Sequence, residues 1–119
     1  MSDLSQAALD ALSRWVDDGN ATRFAGMSRP ELEAELLLLH RTIKVAEELG
    51  ESVQKIIGYT GANPRKGVTA QRADIVDELL DVAVTALGAI EHIVGHDYLT
   101  MERLDSKIVA VAKRAGAIA

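Results

Sequence analysis

The sequence predicts an all-α protein, a four-helix bundle-like domain with a long central helical hairpin that assembles as an oligomer. Hydrophobic residues make up 48% of the chain but aromatic residues only 3%, with two prolines. Small aliphatic side chains must therefore supply the core, which favours packed helices over a β-sandwich. Apolar residues also recur at helical spacing in four segments. The third segment is apolar over more than half of its circumference, so we expect a homodimer or homotetramer formed through the hairpin.

The first helix is predicted over about residues 4–17. Leu4, Ala8 and Leu12 recur there at the spacing of one helix face. The tripeptide Asp18-Gly19-Asn20 is a common helix stop signal. Residues 19–28 are accordingly expected to form a linker.

The second helix is predicted from Ser28 to about Ile57. Ser28 is a good N-cap, Pro30 is tolerated in the first turn, and Glu31 occupies the position of a capping box. Residues 58–67 contain three glycines and one proline. We expect a loop there, because these residues interrupt a helix.

The third helix is predicted from a cap near Thr69 to about Val94, followed by a turn at residues 95–97. A fourth helix is expected from Thr100 to about Arg114. The sequence contains no internal repeat of fixed period, no low-complexity tract and no pattern that indicates a second domain. A single domain spanning residues 1–119 is therefore the expected organisation.

Charge and cysteine content exclude several classes of protein. The net charge is −5, whereas a protein that binds a nucleic-acid backbone needs a basic face. The chain has no cysteine, which excludes disulfides, zinc–thiolate sites and a cysteine nucleophile. The first residues lack a signal-peptide pattern, and no apolar stretch is long enough to span a bilayer. We expect a cytoplasmic protein with no nucleic-acid partner and no membrane partner.

Two acidic pairs stand at helical spacing on the two long helices. Glu48 and Glu51 are three residues apart, as are Glu78 and Asp81, and Glu47 lies four residues before Glu51. Side chains at these spacings project to one side of a helix, so an antiparallel hairpin lets the two pairs face each other. Carboxylates that converge in this way require a cation. Mg²⁺ is the expected ion because it prefers oxygen ligands and is completed by water and phosphate, with Mn²⁺ as an alternative.

Ordinary surface ion pairs are the alternative interpretation. Lys44 precedes Glu48 by four residues, and Lys55 follows Glu51 by four, the spacing of helical salt bridges. The second acidic pair has no lysine or arginine three or four residues away, which favours a metal site. Spacing alone leaves both interpretations open.

These motifs resemble the MazG family of nucleoside triphosphate pyrophosphohydrolases. That family carries E-E-x-x-E followed by E-x-x-D on a helical hairpin, matched here by Glu47-Glu48-Leu49-Gly50-Glu51 and Glu78-Leu79-Leu80-Asp81. The likeness covers residues 31–114. It implies a MazG-type fold and hydrolysis of nucleoside or deoxynucleoside triphosphates to the monophosphate and pyrophosphate.

The resemblance also implies residue roles. The implied magnesium ligands are Glu48, Glu51, Glu78 and Asp81. Glu47 is expected to hold a further ion or to orient a water. The expected catalytic residues are therefore five acids, namely Glu47, Glu48, Glu51, Glu78 and Asp81. Lys107 and Arg114 match the family's basic residues on the helix after the hairpin and are expected to bind substrate. Relatives often carry asparagine before that lysine, where this chain has Asp105-Ser106.

Arg65 and Lys66 lie in the glycine-rich loop and are also expected to bind the phosphates, with backbone N–H groups contributing. A solvated turn is the alternative for this pair, and a solvated amphipathic helix is the alternative for Lys107 and Arg114.

Several functions remain compatible with the sequence. The alternatives within the same chemistry are an all-α dUTP or dCTP pyrophosphatase and a phosphoribosyl-ATP pyrophosphohydrolase. The alternative of a different kind is a helical protein that binds nucleotide or another protein without catalysis.

Overall fold

The computed structural model describes residues 3–119, and its regular structure in that range is entirely helical. The helices are α1 (Asp3–Phe24), α2 (Arg29–Thr60), α3 (Arg72–Ile93) and α4 (Thr100–Arg114). The all-α prediction is confirmed. In the described part of the chain, no helix combines the length and apolar character needed to cross a membrane.

Helix α1 is longer than predicted. The expectation that it stops at Asp18-Gly19-Asn20 was wrong, because the helix continues to Phe24 and leaves only residues 25–28 as a connection. A glycine inside a helix costs about 1 kcal/mol relative to alanine, which is not enough to break a helix continued on both sides. The hydroxyl of Thr22 donates to the carbonyl oxygen of Asp18 at 3.0 Å, so the stop signal itself lies within helical backbone.

The described residues divide into two compact units. The first ends at Leu36, and the second runs from Leu37 to Ala119. The boundary lies within the continuous helix α2. In the first unit, Arg23 pairs with Glu35 at 3.2 Å, and α1 has no buried residue. The prediction of one domain over residues 1–119 stays a prediction.

Both ends of α2 follow from local sequence. The N–H of Glu31 donates to the Ser28 hydroxyl oxygen at 3.3 Å, which confirms Ser28 as the cap. At the other end, Gly58 is still helical, and the helix stops at Gly61, whose φ is +66°. Glycine reaches this left-handed conformation without strain. The N–H of Ala62 then donates to the carbonyl oxygen of Ile57 at 3.2 Å and closes the helix end.

The end of α2 and the start of α3 pack closely together in the second unit. Helix α3 is capped by Gln71, not by Thr69 as predicted, and the Gln71 N–H donates to a carboxylate oxygen of Asp74 at 2.7 Å. The Thr69 N–H donates to the Gly58 carbonyl oxygen at 2.9 Å. Ala70, which is buried, lies directly beside Gly58. The absence of a side chain at Gly58 therefore lets the start of α3 approach the end of α2.

The contacting sides of α2 and α3 are mixed in polarity. On α2 the half-buried or buried side includes Lys44, Val45, Glu48, Ser52 and Lys55, and on α3 it includes Ile75, Glu78, Val82, Thr85 and Ala89. Most large aliphatic side chains of the hairpin are instead exposed. Glu48 and Glu78 consequently face the interior of the hairpin, and much of its apolar surface faces outwards.

Helix α4 follows a short turn and contacts α3. Its bounds agree with the prediction, and the preceding turn places Gly95, His96 and Tyr98 at positive φ. Asp97 in this turn pairs with the guanidinium of Arg103, and Asp97 Oδ1 also accepts the Leu99 N–H at 3.1 Å. The hydrogen bond from Arg103 lowers the pKa of Asp97 from 3.8 to about 2.

Candidate metal centre

Three carboxylates from two helices converge inside the hairpin. Glu48 comes from α2, while Glu78 and Asp81 come from adjacent turns of α3. Each offers an oxygen atom, and these oxygens lie within 4.8 Å of one another. Glu48 and Glu78 are half-buried, and Asp81 is exposed. The hairpin thus brings together acids that are 30 or more residues apart in sequence.

The electrostatics of the cluster disfavour full ionisation. Burial raises the pKa of Glu48 above its usual range, and the charge of Glu51 raises it further. Burial likewise raises the pKa of Glu78, with Glu51 and then Asp81 adding to the shift. Like charges brought together in this way are stabilised by a proton or a cation.

One oxygen of the cluster has no partner within the described residues. Glu78 Oε2 is buried and accepts no hydrogen bond. A buried polar atom without a partner destabilises the fold unless something else satisfies it. A cation held by the Glu78 carboxylate would satisfy it.

The spacing of the oxygens fits a divalent ion. Mg²⁺–oxygen distances are about 2.0–2.1 Å, so ligands on opposite sides of the ion lie about 4.2 Å apart. Neighbouring ligands of an octahedral ion lie about 2.9 Å apart, so oxygens within 4.8 Å of one another close on a shared ion by side-chain movements of up to about 2 Å. Water or phosphate oxygens would complete the shell, since Mg²⁺ usually keeps several such ligands.

Glu47 and Glu51 take different positions from those three acids. Glu47 accepts a hydrogen bond from Lys44 at 2.9 Å, and both side chains are exposed. Glu51 is not one of the three convergent acids, although its charge acts on both Glu48 and Glu78. Among residues 3–119, Lys44 does not pair with Glu48 within 4 Å. The expected ion pairs of Lys44 with Glu48 and of Lys55 with Glu51 do not form within the described residues, and Lys44 pairs with Glu47 instead.

The loop cations predicted to bind substrate are exposed. Arg65 and Lys66 follow α2 in a turn held by Asn63, whose side-chain oxygen accepts the Arg65 N–H at 3.1 Å. The Lys66 N–H donates to the Asn63 carbonyl oxygen at 3.1 Å. Neither side chain forms a salt bridge in the part of the chain that the structure describes. Both are thus available for an anion.

The helix cations lie on α4. Lys107 lines a shallow groove with Leu99, Arg103 and Ser106. Arg114 is in the last turn of the helix. Over residues 3–119, neither of these two cations is paired with a carboxylate within 4 Å.

Lys55 is a neighbour of the three convergent acids. Its spacing along α2 had indicated an ion pair with Glu51. It is half-buried, and its charge lowers the pKa of Glu78, opposing the larger effects that raise it. Lys55 lies seven residues after Glu48, which is about two helical turns, so it projects from the same side of α2. That spacing was the signal that could have placed it beside the acids.

Comparison with protein-family models, curated proteins and solved structures finds no match to this chain. The MazG resemblance therefore stands on the two acidic motifs and their spacing.

Proposed function

We propose that this protein hydrolyses nucleoside triphosphates to the monophosphate and pyrophosphate, with Mg²⁺ as cofactor and Mn²⁺ as a substitute. The supporting observation is the convergence of Glu48, Glu78 and Asp81 within 4.8 Å, together with the unpartnered oxygen of Glu78. The choice of this chemistry among magnesium-dependent reactions rests on the resemblance of the two acidic motifs to those of the MazG family.

The acids act by holding the ion. A bare cluster of carboxylates repels a triphosphate, so the same residues favour substrate only when a cation lies between them. When bound, Mg²⁺ neutralises phosphate charge and makes a bound water more nucleophilic. Glu48 from one helix and Glu78 and Asp81 from the other would hold it, and their positions on rigid helices fix the site.

The reaction forms one bond and breaks one. The oxygen of a water attacks the α-phosphorus, the bond from that phosphorus to the oxygen bridging to the β-phosphorus breaks, and pyrophosphate leaves. One of Glu47, Glu48 and Glu51 accepts the proton of the attacking water. We favour Glu51, because Glu47 is paired with Lys44 and Glu51 acts electrostatically on both half-buried acids, Glu48 and Glu78.

Cationic side chains are proposed to bind the phosphates. Lys55 acts electrostatically on Glu78. Arg65 and Lys66 in the loop, and Lys107 and Arg114 on α4, are the further candidates. Each is a donor that matches phosphate oxygens.

The test is a substrate panel that measures pyrophosphate separately from orthophosphate. We expect Mg²⁺-dependent pyrophosphate release from at least one of the eight common nucleotides, with phosphoribosyl-ATP assayed beside them. Glu78→Gln should reduce the rate to background, whereas Glu33→Gln, on an exposed part of α2, should leave it unchanged. Folded protein that releases pyrophosphate from none of these substrates would contradict the proposal and favour a non-catalytic binding role.

A further inference from the structure

Lys55 is a half-buried lysine that forms no close ion pair. Across residues 3–119, its ammonium lies within 4 Å of no carboxylate oxygen. Lys44, one turn before Glu48, differs because it donates to Glu47 at 2.9 Å. Drawing a charge partly out of water is costly unless an opposite charge compensates it. The charge that compensates Lys55 must therefore act from beyond 4 Å.

The register of the hairpin places Lys55 near Glu78. Gly58 lies against Ala70 where α2 and α3 meet. From that contact, Lys55 is three residues back along α2, and Glu78 is eight residues forward along α3. At a rise of 1.5 Å per residue, the Cα atoms of Lys55 and Glu78 differ by about 7.5 Å in height along the hairpin.

The directions of the two side chains shorten the remaining distance. Helical side chains lean towards the N-terminus of their own helix. Because α2 and α3 run in opposite directions, Lys55 and Glu78 lean towards each other. Lys55 also lies within about 20° of Glu48 around α2. Burial and neighbouring acids raise the pKa of Glu78, and the charge of Lys55 lowers it, as this placement requires.

We propose that Lys55 is a built-in cation of the metal site, which takes the place of a second divalent ion beside Glu78. This inference rests on the proposed function and adds the number of ions. The ions of a two-ion site lie about 3.5–4 Å apart. A second ion on the side of Glu78 that faces the loop would meet the like charge of Lys55. Because the ammonium lies beyond 4 Å, it leaves the carboxylate oxygens free to hold one ion.

Lys55 therefore has two effects on cation binding. It restricts the site to one divalent ion per chain. It also weakens the binding of that ion, because like charges repel strongly in a partly buried site. A lysine that only packs between the helices would have neither effect. Its replacement would leave the affinity for the ion unchanged, or would lower it by disturbing the acids.

Calorimetric titration with Mg²⁺ in the absence of nucleotide tests both effects. The native chain should bind one ion per chain. Lys55→Met keeps the length of the side chain without its charge, and it should bind Mg²⁺ at least about threefold more tightly than the native chain. Lys55→Arg, which retains the charge, should bind like the native chain. The matched control is Lys113→Met, at an exposed position on α4, which should also bind like the native chain.

Three results would overturn the proposal. They are two ions per native chain, a Lys55→Met variant that binds Mg²⁺ no more tightly than the native chain, and equally tighter binding by Lys55→Arg. The melting temperature of each variant verifies its folding, and Lys55→Gln serves in place of Lys55→Met if that variant does not fold. A native chain that binds no Mg²⁺ would overturn the metal site as well as this inference. None of these measurements involves hydrolysis, so their outcome is distinct from that of the substrate panel.

Discussion

Replacement of Gly58 by alanine should loosen the junction that sets α3 against α2. A Cβ at this position would lie 2.6 Å from Thr69 Oγ1 and 3.2 Å from Ala70 Cβ. The first distance is below van der Waals contact, and the second requires a small shift. The Thr69 hydroxyl can rotate, but Ala70 is buried and its backbone nitrogen lies 3.5 Å away. The strain therefore falls on the chain between the two helices.

The expected effect combines two opposing contributions. Overpacking of this kind costs about 1–3 kcal/mol. Alanine in place of glycine in a helix returns up to about 1 kcal/mol. The free energy of unfolding should therefore fall by up to about 2 kcal/mol, and the melting temperature by up to several degrees.

Urea unfolding at one fixed chain concentration measures this change, and a double-mutant cycle identifies its cause. Thr69→Ala removes the closest contact, so Gly58→Ala should be less destabilising in that background than in the native chain, by at least about 0.5 kcal/mol. Thr69→Ala alone is the control. If the effects of the two substitutions are additive, the close packing of this junction is refuted.

Three further effects are expected from the charged groups. Burial raises the pKa of Glu48 and Glu78 above 4.5, so the folded metal-free chain binds protons more tightly than the unfolded chain. Its stability should therefore fall as the pH rises above 4.5. Denaturant unfolding at several pH values should show this decline, and saturating Mg²⁺ should abolish it. Glu78→Gln should raise the melting temperature of the metal-free protein, since it removes one repelling charge. Conversely, Arg103 lowers the pKa of Asp97 to about 2. The ion pair therefore contributes stability that is present above pH 3.8 and is lost as the pH falls towards 2. Asp97→Asn should flatten that acid transition and lower the melting temperature at about pH 7.

The fold was predictable wherever a local pattern had a local cause. Ser28 caps α2 as expected, and α4 has the predicted bounds, because each end is set by residues within one turn. The end of α1 was not predictable in this way. Its stop signal is a statistical preference of about 1 kcal/mol, and Gly19 carries no steric requirement that would force a turn there.

The candidate site was predictable in part for the same reason. Spacing of three residues placed Glu78 and Asp81 on one side of α3, and the hairpin brought Glu48 opposite them. Spacing did not separate the roles of the acids on α2. Whether Lys44 pairs with Glu47 or Glu48 depends on the packing of α3 against α2, which determines the side of α2 that is open to solvent.

The central claim is that Glu48, Glu78 and Asp81 form a divalent-cation site, and calorimetric titration with Mg²⁺ in the absence of nucleotide measures it most directly. Asp81→Asn is the informative variant because Asp81 is exposed and its replacement should not disturb folding. Asp105→Asn, at an exposed position on α4, is the matched control. We predict that the native chain and Asp105→Asn bind Mg²⁺ alike and that Asp81→Asn binds at least about tenfold more weakly, a difference of about 1.4 kcal/mol. Equal binding by all three proteins, or none by the native chain, would contradict the assignment.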